Sequence, residues 1–477
     1  MKLFDVFNRG GGARGFHTAI VTTFGVDFGA FEHVLLPQFE GSGATNIVLM
    51  GDERMLALAA NEGAVRPLRA GAHYLVHPVR TPKGGVFHSK IALQLGRQGA
   101  RLIVGSANAT GPGLGGNREL VAELKCDDKQ SADQIIVTQV WRYLEQLADQ
   151  GAHAELAREA LAWARARTPS LARIETAPSP VALSDGTPSA FLAEAGDGAR
   201  SIMARYMDLI GEGPIDQLIV MSPYWDDGLD ACRELISRLS PARTQILIQP
   251  RQKLFPTHAL GLLNADLYDV DAGDAQVRRF THAKLIIARR GGVDHVLIGS
   301  ANCTRAALGR ADGSGAINGE ACLYRALPAG LVERQLELSA LLAAAPLAAD
   351  ALNPQDLGED IPLAETAARL PGVFQRDGAR LQWRPTAAFK GAAIQLLDRN
   401  GGVIGEIASA SWRPTADHWL QCDLDIDGEP VRFARALSSS GVSLDAIVTH
   451  SAHLAGRRKE RATQKAARAS ALLEDLD

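Results

Sequence analysis

The chain lacks the features that mark several protein classes. No uncharged apolar stretch approaches the roughly 20 residues of a membrane span, and the N-terminal segment 1–5 lacks the apolar region of a signal peptide. The cysteines are scattered, odd in number and without a Cys-x-x-Cys pair; they are Cys126, Cys232, Cys303, Cys322 and Cys422. This is typical of reduced thiols rather than of a disulfide framework or a zinc site. We therefore expect a cytoplasmic protein with no membrane association.

The chain also lacks an excess of positive charge. Its formal net charge is −4, which argues against coating nucleic acid by charge alone, although a local basic groove would be enough for binding. With 46% hydrophobic and 22% charged residues, the composition is that of a soluble globular protein. Because 477 residues exceed one ordinary hydrophobic core, we expect about two to four domains.

What the chain does contain is a sparse polar pattern that occurs twice with the same spacing. The first copy is His88, Lys90, Gly105, Ser106 and Asn108, and the second is His282, Lys284, Gly299, Ser300 and Asn302. In both copies Lys follows His by two residues, and Gly, Ser and Asn follow at offsets of 17, 18 and 20. Five matched positions, 194 residues apart, indicate two homologous halves. Each half offers one imidazole, one ammonium, one hydroxyl and one amide.

The pattern lies on predicted strands. Segments 90–95 and 101–104 read as neighbouring strands, and 284–288 and 295–298 repeat them with Gly291-Gly292 as the hairpin turn. Antiparallel pairing brings the start of one strand beside the end of the other, so we expect each set of five residues to meet at one sheet edge. Apolar runs alternate with amphipathic helices elsewhere in both halves, which indicates the α/β class.

The same signals divide the chain into segments. Residues 1–175 are predicted to form a first α/β lobe, 176–190 a linker and 191–350 a second lobe. Residues 351–450 are predicted to form a small β-rich domain, in which Asn400-Gly401 between two apolar runs indicates a hairpin. Residues 451–477 are predicted to form a helical tail whose basic residues are Arg457, Arg458, Lys459, Arg461, Lys465 and Arg468.

Two histidines and several cationic or polar groups suit chemistry on a phosphodiester. One neutral histidine would attack phosphorus and become a covalent phosphohistidine, while the other, protonated, would donate to the leaving oxygen and then activate water. The groups expected to hold the non-bridging oxygens are Lys90, Lys284, Asn108, Asn302, Ser106 and Ser300. With two lysines supplying the positive charge, this chemistry requires no metal and no cofactor.

A histidine used in this way also benefits from a carboxylate on its second ring nitrogen. Glu119 and Glu320, each shortly after the Asn of its own copy, are candidates for this role. Their spacings from that Asn differ, at 11 and 18 residues, so the alternative of a solvated strand-edge residue stays open for both.

The paired His-x-Lys and Gly-Ser-x-Asn elements, each followed by a Glu, resemble those of the phospholipase D superfamily over roughly residues 1–345. The resemblance implies a two-lobed α/β/α sandwich with one active site at the pseudo-two-fold axis and a metal-independent phosphohistidine mechanism. It also implies that His88 is the nucleophile and His282 the general acid and base. The family's commonest signature has Asp five residues after the Lys, where this chain has Leu95 and Arg289. Because the tyrosyl-DNA phosphodiesterase branch also lacks that Asp, the resemblance favours nucleic acid over lipid.

The leading interpretation is therefore a metal-independent nuclease acting on DNA, with RNA as a further candidate substrate. A role in a prokaryotic defence system, an ATPase or helicase partner subunit, and a homo-oligomer stay open. Two alternatives also stay open. One is a phospholipase or phosphatidyl transferase acting on lipid, and the other is a phosphate-binding scaffold without turnover.

Overall fold

The structure is a computed structural model of the chain, and part of the sequence is left undescribed. The described residues are 15–127, 132–151, 153–173, 179–196, 200–272, 279–348, 352, 354–356, 361–415, 418–424, 431–439 and 441–458. The predicted α/β class is confirmed, since the described residues form three sheets with helices packed around them. No helix in this part of the chain is both long enough and apolar enough to span a membrane.

The first lobe is built on a six-stranded sheet with the order β3-β2-β1-β4-β5-β6. Its strands are β1 (Phe16–Thr23), β2 (Asn46–Asp52), β3 (Leu75–Val79), β4 (Ile91–Gly96), β5 (Gly99–Gly105) and β6 (Val121–Asp127). The first three strands run parallel, and β4, β5 and β6 are antiparallel to their neighbours. This arrangement places the predicted 90–95 and 101–104 pair at β4 and β5.

The second lobe repeats this order within an eight-stranded sheet, β11-β10-β9-β12-β13-β14-β8-β7. The strands are β7 (Val181–Ala182), β8 (Pro188–Ala195), β9 (Gln217–Met221), β10 (Arg243–Ile248), β11 (Asp266–Asp269), β12 (Leu285–Arg290), β13 (Val293–Gly299) and β14 (Gly319–Pro328). Six strands of this sheet correspond in order and direction to the first sheet, as the repeated motif implies. The predicted hairpin between β12 and β13 is confirmed, with Gly291 and Gly292 both at positive φ.

Helices cover these sheets and provide the apolar surfaces that bury them. They are α1 (Phe28–Ala30), α2 (Leu36–Ser42), α3 (Glu53–Glu62), α4 (Ala132–Asp149), α5 (Ala154–Arg167), α6 (Pro169–Arg173), α7 (Ile202–Ile210), α8 (Asp230–Leu239), α9 (Arg305–Leu308), α10 (Leu331–Gln335), α11 (Ser339–Ala343) and α12 (Leu363–Ala368). The described residues also contain the π-helical turns Phe31–Leu35 and Pro112–Gly116 and the 3₁₀ turns Pro250–Gln252, Thr257–Leu262, Ala387–Phe389 and Ser409–Ser411.

The two lobes share one hydrophobic core. Trp141 and Leu144 of α4 are buried together with Phe191 of β8 and Leu323 of β14, so the long helix after the first sheet packs against the second. The predicted linker overlaps the second sheet, because residues 181–182 form β7 and pair with β8. Residues 174–178 lie outside the described part of the chain, and the predicted domain boundaries stay predictions.

The C-terminal region contains a third sheet, in the order β18-β17-β21-β23-β15-β16-β20-β19 with β22 paired to β21. Its strands are β15 (Gly372–Asp377), β16 (Arg380–Pro385), β17 (Ala393–Leu397), β18 (Val403–Ile407), β19 (Arg413–Pro414), β20 (Leu420–Asp423), β21 (Phe433–Ser438), β22 (Gly441–Val442) and β23 (Ala446–His450). The predicted hairpin at Asn400-Gly401 joins β17 to β18, with Gly401 at φ +85°.

The third sheet and the start of the tail pack on the first lobe. Asn61 exchanges two hydrogen bonds with the backbone of Asp445, at 2.8 and 3.0 Å. Residues 451–458 are helical, and Leu454 is buried in the core of the first lobe. The predicted tail residues Lys459, Arg461, Lys465 and Arg468 lie outside the described part of the chain.

Candidate active site between the two lobes

The strand pairing brings each repeated motif to one sheet edge. Ile91 at the start of β4 pairs with Val104 near the end of β5, and the Gly105 N–H donates to the Lys90 carbonyl at 3.2 Å. In the second lobe, Leu285 pairs with Ile298 in the same way. His and Lys therefore lie just before one strand, and Ser and Asn just after its neighbour, as expected for antiparallel pairs.

Two short backbone bridges then join the edges of the two lobes. The His88 N–H donates at 2.7 Å to the carbonyl of Gly319, which is the first residue of β14 and directly precedes Glu320. The His282 N–H donates to the Arg118 carbonyl at 2.9 Å, directly before Glu119. Each histidine segment thus pairs with the glutamate segment of the opposite lobe.

The two glutamates consequently form crossed pairs with the two histidines. His88 Nδ1 lies 3.0 Å from Glu320 Oε2, and His282 Nδ1 lies 3.0 Å from both carboxylate oxygens of Glu119. The Glu320 side chain is 0% exposed and that of Glu119 is 5% exposed. The alternative of solvated strand-edge residues therefore does not describe either glutamate.

The two motif serines hold these carboxylates. Ser106 Oγ donates to Glu119 and Ser300 Oγ donates to Glu320, and both serines are fully buried. Each hydroxyl oxygen also accepts a backbone N–H at 2.9 Å, from the residue after the glutamate. The sequence predicts phosphate contacts for Ser106 and Ser300. In the structure their hydroxyl protons are committed to the carboxylates instead, which is a positioning role.

Both lysines are buried and curl back towards the segment that carries their histidine. Lys90 Nζ donates to the His88 carbonyl at 2.5 Å. Lys284 Nζ donates to the His282 carbonyl and lies against the His282 Nε2 atom, both at 2.8 Å. Burial lowers the pKa of Lys90 to about 7 and places the pKa of Lys284 well below its ordinary value, with the charge of Lys90 contributing to the latter.

The histidines are neutral and the glutamates are ionised in this ligand-free arrangement. Burial lowers the pKa of His88 and of His282 to about 4 against the opposing charge of the glutamates, and the nearby lysines contribute. Burial alone would raise the pKa of both carboxyl groups, but interactions with the histidines outweigh it, so both pKa values lie below the ordinary value. Each imidazole therefore donates from Nδ1 to a carboxylate and has its lone pair on Nε2, which in His282 accepts from Lys284 Nζ at 2.8 Å.

The two motif asparagines differ in how they are held. Asn108 Oδ1 accepts backbone N–H groups from Phe24 and Gly25, both at 3.3 Å, which turns its amide N–H₂ group away from that loop. The Oδ1 atom of Asn302 is buried and has no hydrogen-bond partner among the described residues. The structure therefore brings all ten predicted site residues into the inter-lobe region, where the two serines donate hydrogen bonds to the carboxylates.

Several residues at the site were not found from the sequence. Thr23 Oγ1 and Ser222 Oγ each accept the N–H of the residue after a motif Asn, at 3.0 Å. The Phe24 ring lies 5.3 Å from the His88 ring, and the Phe280 ring lies 5.8 Å from the His282 ring, measured between centroids. Their shared signal is position, since each lies at the end of a central strand, just after it or two residues before a motif His, but their residue types do not repeat.

A second set of missed residues holds the segments that precede the histidines. Asp52 accepts the Phe87 N–H at 3.0 Å, and Gln249 accepts the Thr281 N–H at 2.7 Å. Asp271 accepts from the Gln249 amide and from the Arg118 guanidinium, the latter at 2.6 Å. Within the described residues, no group of three or more His, Cys, Asp or Glu side chains is placed to hold a metal ion.

Comparisons with known proteins yield similarities at the level of structure. No protein-family model and no curated protein matches the chain. Yeast tyrosyl-DNA phosphodiesterase is similar at 14% identity and a TM-score of 0.43, covering 68% of this chain and 86% of that chain. Phosphatidylserine synthase from Haemophilus influenzae Rd KW20 is similar at 12% identity and a TM-score of 0.44, covering 72% and 84%. TM-scores below 0.5 carry no conclusion about the chemistry of this chain.

Proposed function

We propose that the protein is a phosphodiesterase that works without a metal ion, through a phosphohistidine intermediate, and that its substrate is nucleic acid. The observation that carries the proposal is the pair of crossed histidine–glutamate contacts, His88 with Glu320 and His282 with Glu119, at one inter-lobe edge. Two imidazoles that are oriented through Nδ1 and flanked by buried lysines suit in-line displacement at phosphorus.

In the first step, His88 Nε2 attacks phosphorus and forms a P–N bond. The bond from phosphorus to the leaving oxygen breaks, and that oxygen takes its electron pair and a proton from His282 Nε2. Lys90, Lys284 and the asparagine amides stabilise the negative charge that the non-bridging oxygens carry in the transition state. Because a bound phosphodiester is itself an anion, it raises the pKa of His282 towards the protonated form that this step requires.

In the second step, water attacks the phosphohistidine. His282 Nε2 accepts the water proton, a new P–O bond forms, and the P–N bond to His88 breaks. The two lysines contact the two histidine segments differently, and the charge of Lys284 adds to burial in lowering the pKa of the adjacent His282. Lys284 Nζ lies against the His282 ring nitrogen at 2.8 Å, whereas Lys90 Nζ donates to the His88 backbone carbonyl. The resemblance in the sequence implies the same assignment.

The positions where the commonest family signature has Asp support nucleic acid over lipid. Leu95 is fully buried in the core of the first lobe, and Arg289 pairs with Asp294 on the second sheet and with Glu333 of α10. Both are structural residues, so this site resembles the branch that acts on DNA. DNA is accordingly the first substrate to test, and RNA the second.

The test is an assay in EDTA on single- and double-stranded DNA and RNA, with phospholipid vesicles as a further arm. We expect the purified protein to cut nucleic acid in EDTA and His88→Ala to be inactive. Substrate carrying a radioactive phosphate is expected to leave an acid-labile, base-stable label on the wild-type protein and none on His88→Ala. Activity that survives in His88→Ala would show the mechanism to be wrong. Head-group release with nucleic acid left intact would support the lipid alternative, and binding without turnover the scaffold.

A further inference from the structure

The two sides of the site are equivalent in register but differ in how they are completed. Thr22 pairs with Ile91 and Met221 pairs with Leu285, and each partner lies three residues after a motif His. The loop segments that follow β1 and β9 can therefore be compared position by position. Phe24 corresponds to Pro223, and Gly25 corresponds to Tyr224.

On the first-lobe side this loop satisfies the motif asparagine. The N–H groups of Phe24 and Gly25 both donate to Asn108 Oδ1 at 3.3 Å. On the second-lobe side Pro223 has no N–H to donate. The corresponding Asn302 Oδ1 is buried without a hydrogen-bond partner in the described structure. A buried acceptor of this kind is costly unless a bound molecule or water supplies a donor.

The same side also has an exposed ring at a position where the first lobe has glycine. Tyr224 stands where the first lobe has Gly25, and 43% of it is exposed. Its ring lies 6.5 Å from that of Phe280, which in turn lies 5.8 Å from the His282 ring. Thr281, between Phe280 and His282, is 8% exposed, and its Oγ1 atom is buried without a partner among the described residues. The second-lobe side, which carries the proposed general acid, thus has both aromatic rings and buried oxygen atoms without a hydrogen-bond partner among the described residues.

We propose that the nucleoside of the leaving group binds on this second-lobe side, with its base stacked on Tyr224. This inference rests on the proposed function, because the leaving oxygen must lie next to His282, opposite the attacking His88. A nucleobase offers both a flat face for the Tyr224 and Phe280 rings and N–H groups for Asn302 Oδ1. A lipid acyl chain offers neither, and so the surface favours a nucleic acid whose bases are unpaired at the site.

The experiment uses a single-stranded thymidine 12-mer that carries one central abasic residue, a tetrahydrofuran analogue. Cleavage at each phosphodiester bond is quantified on a sequencing gel for the full-length protein. Stacking on an aromatic side chain changes binding by about 5-fold to 150-fold per base. We therefore expect a dip in the cleavage profile of the wild type, meaning that cleavage is slower by that factor at the bond for which the abasic residue is the leaving nucleoside. The bond on its other side is expected to be cut like the remaining bonds.

The variants separate stacking from general damage. Tyr224→Ala is expected to flatten the dip, because a base and an abasic sugar then bind equally well, whereas Tyr224→Phe keeps the ring and the dip. Leu262→Ala, at an exposed apolar residue elsewhere in the second lobe, is the control and is expected to match the wild type. A wild type without a dip, or a dip that persists in Tyr224→Ala, would overturn the proposal. A wild type that cuts neither this strand nor any DNA or RNA of the EDTA assay would refute the proposed function itself.

Discussion

The two lobes use the same strand order and the same motif, yet they hold their histidines by different means. Before His88, the Phe87 N–H is held by Asp52, whose carboxylate pairs with Arg54 of the same lobe at 2.7 Å. Before His282, the Thr281 N–H donates to Gln249. The Gln249 amide donates in turn to Asp271, which also accepts from Arg118.

Both histidine segments are bridged to the opposite lobe by backbone hydrogen bonds. The side-chain contacts from Asp52 reach Arg54 of the same lobe, whereas those from Gln249 reach Arg118 of the opposite lobe. The repeated motif places equivalent residues in both lobes, whereas the proposed catalytic cycle needs two histidines with different roles. The comparison indicates that the inequality lies in the surrounding contacts rather than in the motif residues themselves.

The crossed glutamates are expected to give the largest difference between the two sides. Glu320→Gln should slow formation of the phosphohistidine, because His88 loses the anion that orients it and increases its basicity. Glu119→Gln should slow its hydrolysis, because His282 then accepts the water proton less readily. We expect losses of about 10²-fold to 10⁴-fold, as for partners of catalytic histidines elsewhere. Rapid-quench measurement of the labelled intermediate separates the steps, with accumulation in Glu119→Gln and none in Glu320→Gln. Equal effects on both steps would contradict the crossed assignment.

Acid stability should also distinguish the lobes. Burial lowers the pKa of His17 and His77 to about 4 and that of His153 to about 3, and all three lie in the first lobe outside the site. Because these folded-state values lie below the unfolded value of 6.5, the unfolded chain takes up protons first as the pH falls. The contribution of these neutral histidines to the free energy of unfolding is complete above about pH 6.5 and is lost towards pH 4. For the fully buried His77 the loss amounts to about 2 kcal/mol at pH 5.

Hydrogen exchange between pH 7 and pH 5, corrected for the intrinsic exchange rate, measures this effect. Strands β1 to β5 are expected to lose protection before β9 to β13. His77→Gln should make the pH dependence of the unfolding free energy shallower. Earlier loss of protection in the second lobe would show that other groups dominate.

The smallest expected effect concerns the inter-lobe ion pair. Asp271→Asn weakens the contacts to Arg118 and Arg251, which lie at 2.6 and 2.7 Å, and so loosens the Thr281–His282 segment. We expect about a tenfold slower hydrolysis of the intermediate, corresponding to about 1.4 kcal/mol, with little change in its formation. Asp266→Asn, an exposed carboxylate on β11, is the matched control. An equal slowing of both steps would mean that the network stabilises the fold without favouring either histidine.

Much of the site could be predicted from the repeat alone. The histidines, lysines and asparagines recur at fixed offsets, and the antiparallel pairing of β4 with β5 follows from local apolar patterns. Asp52 and Gln249 could not be found in this way, since they differ in type and precede their histidines by 36 and 33 residues. The contacts of Ser106 and Ser300 with the glutamates could not be predicted either, because a hydroxyl that follows a strand can face either a substrate or a buried carboxylate.

By itself, the sequence determined the α/β class, the repeated motif and the candidate reactive groups. These properties follow from composition, apolar periodicity and spacing, all of which act over short stretches of chain. Only the tertiary structure decided that Glu320 pairs with His88 and Glu119 with His282, and that Tyr224 is exposed beside Phe280. Those relations depend on how the two lobes pack against each other, over separations of 232 and 163 residues for the crossed pairs. No local pattern in the chain records that packing.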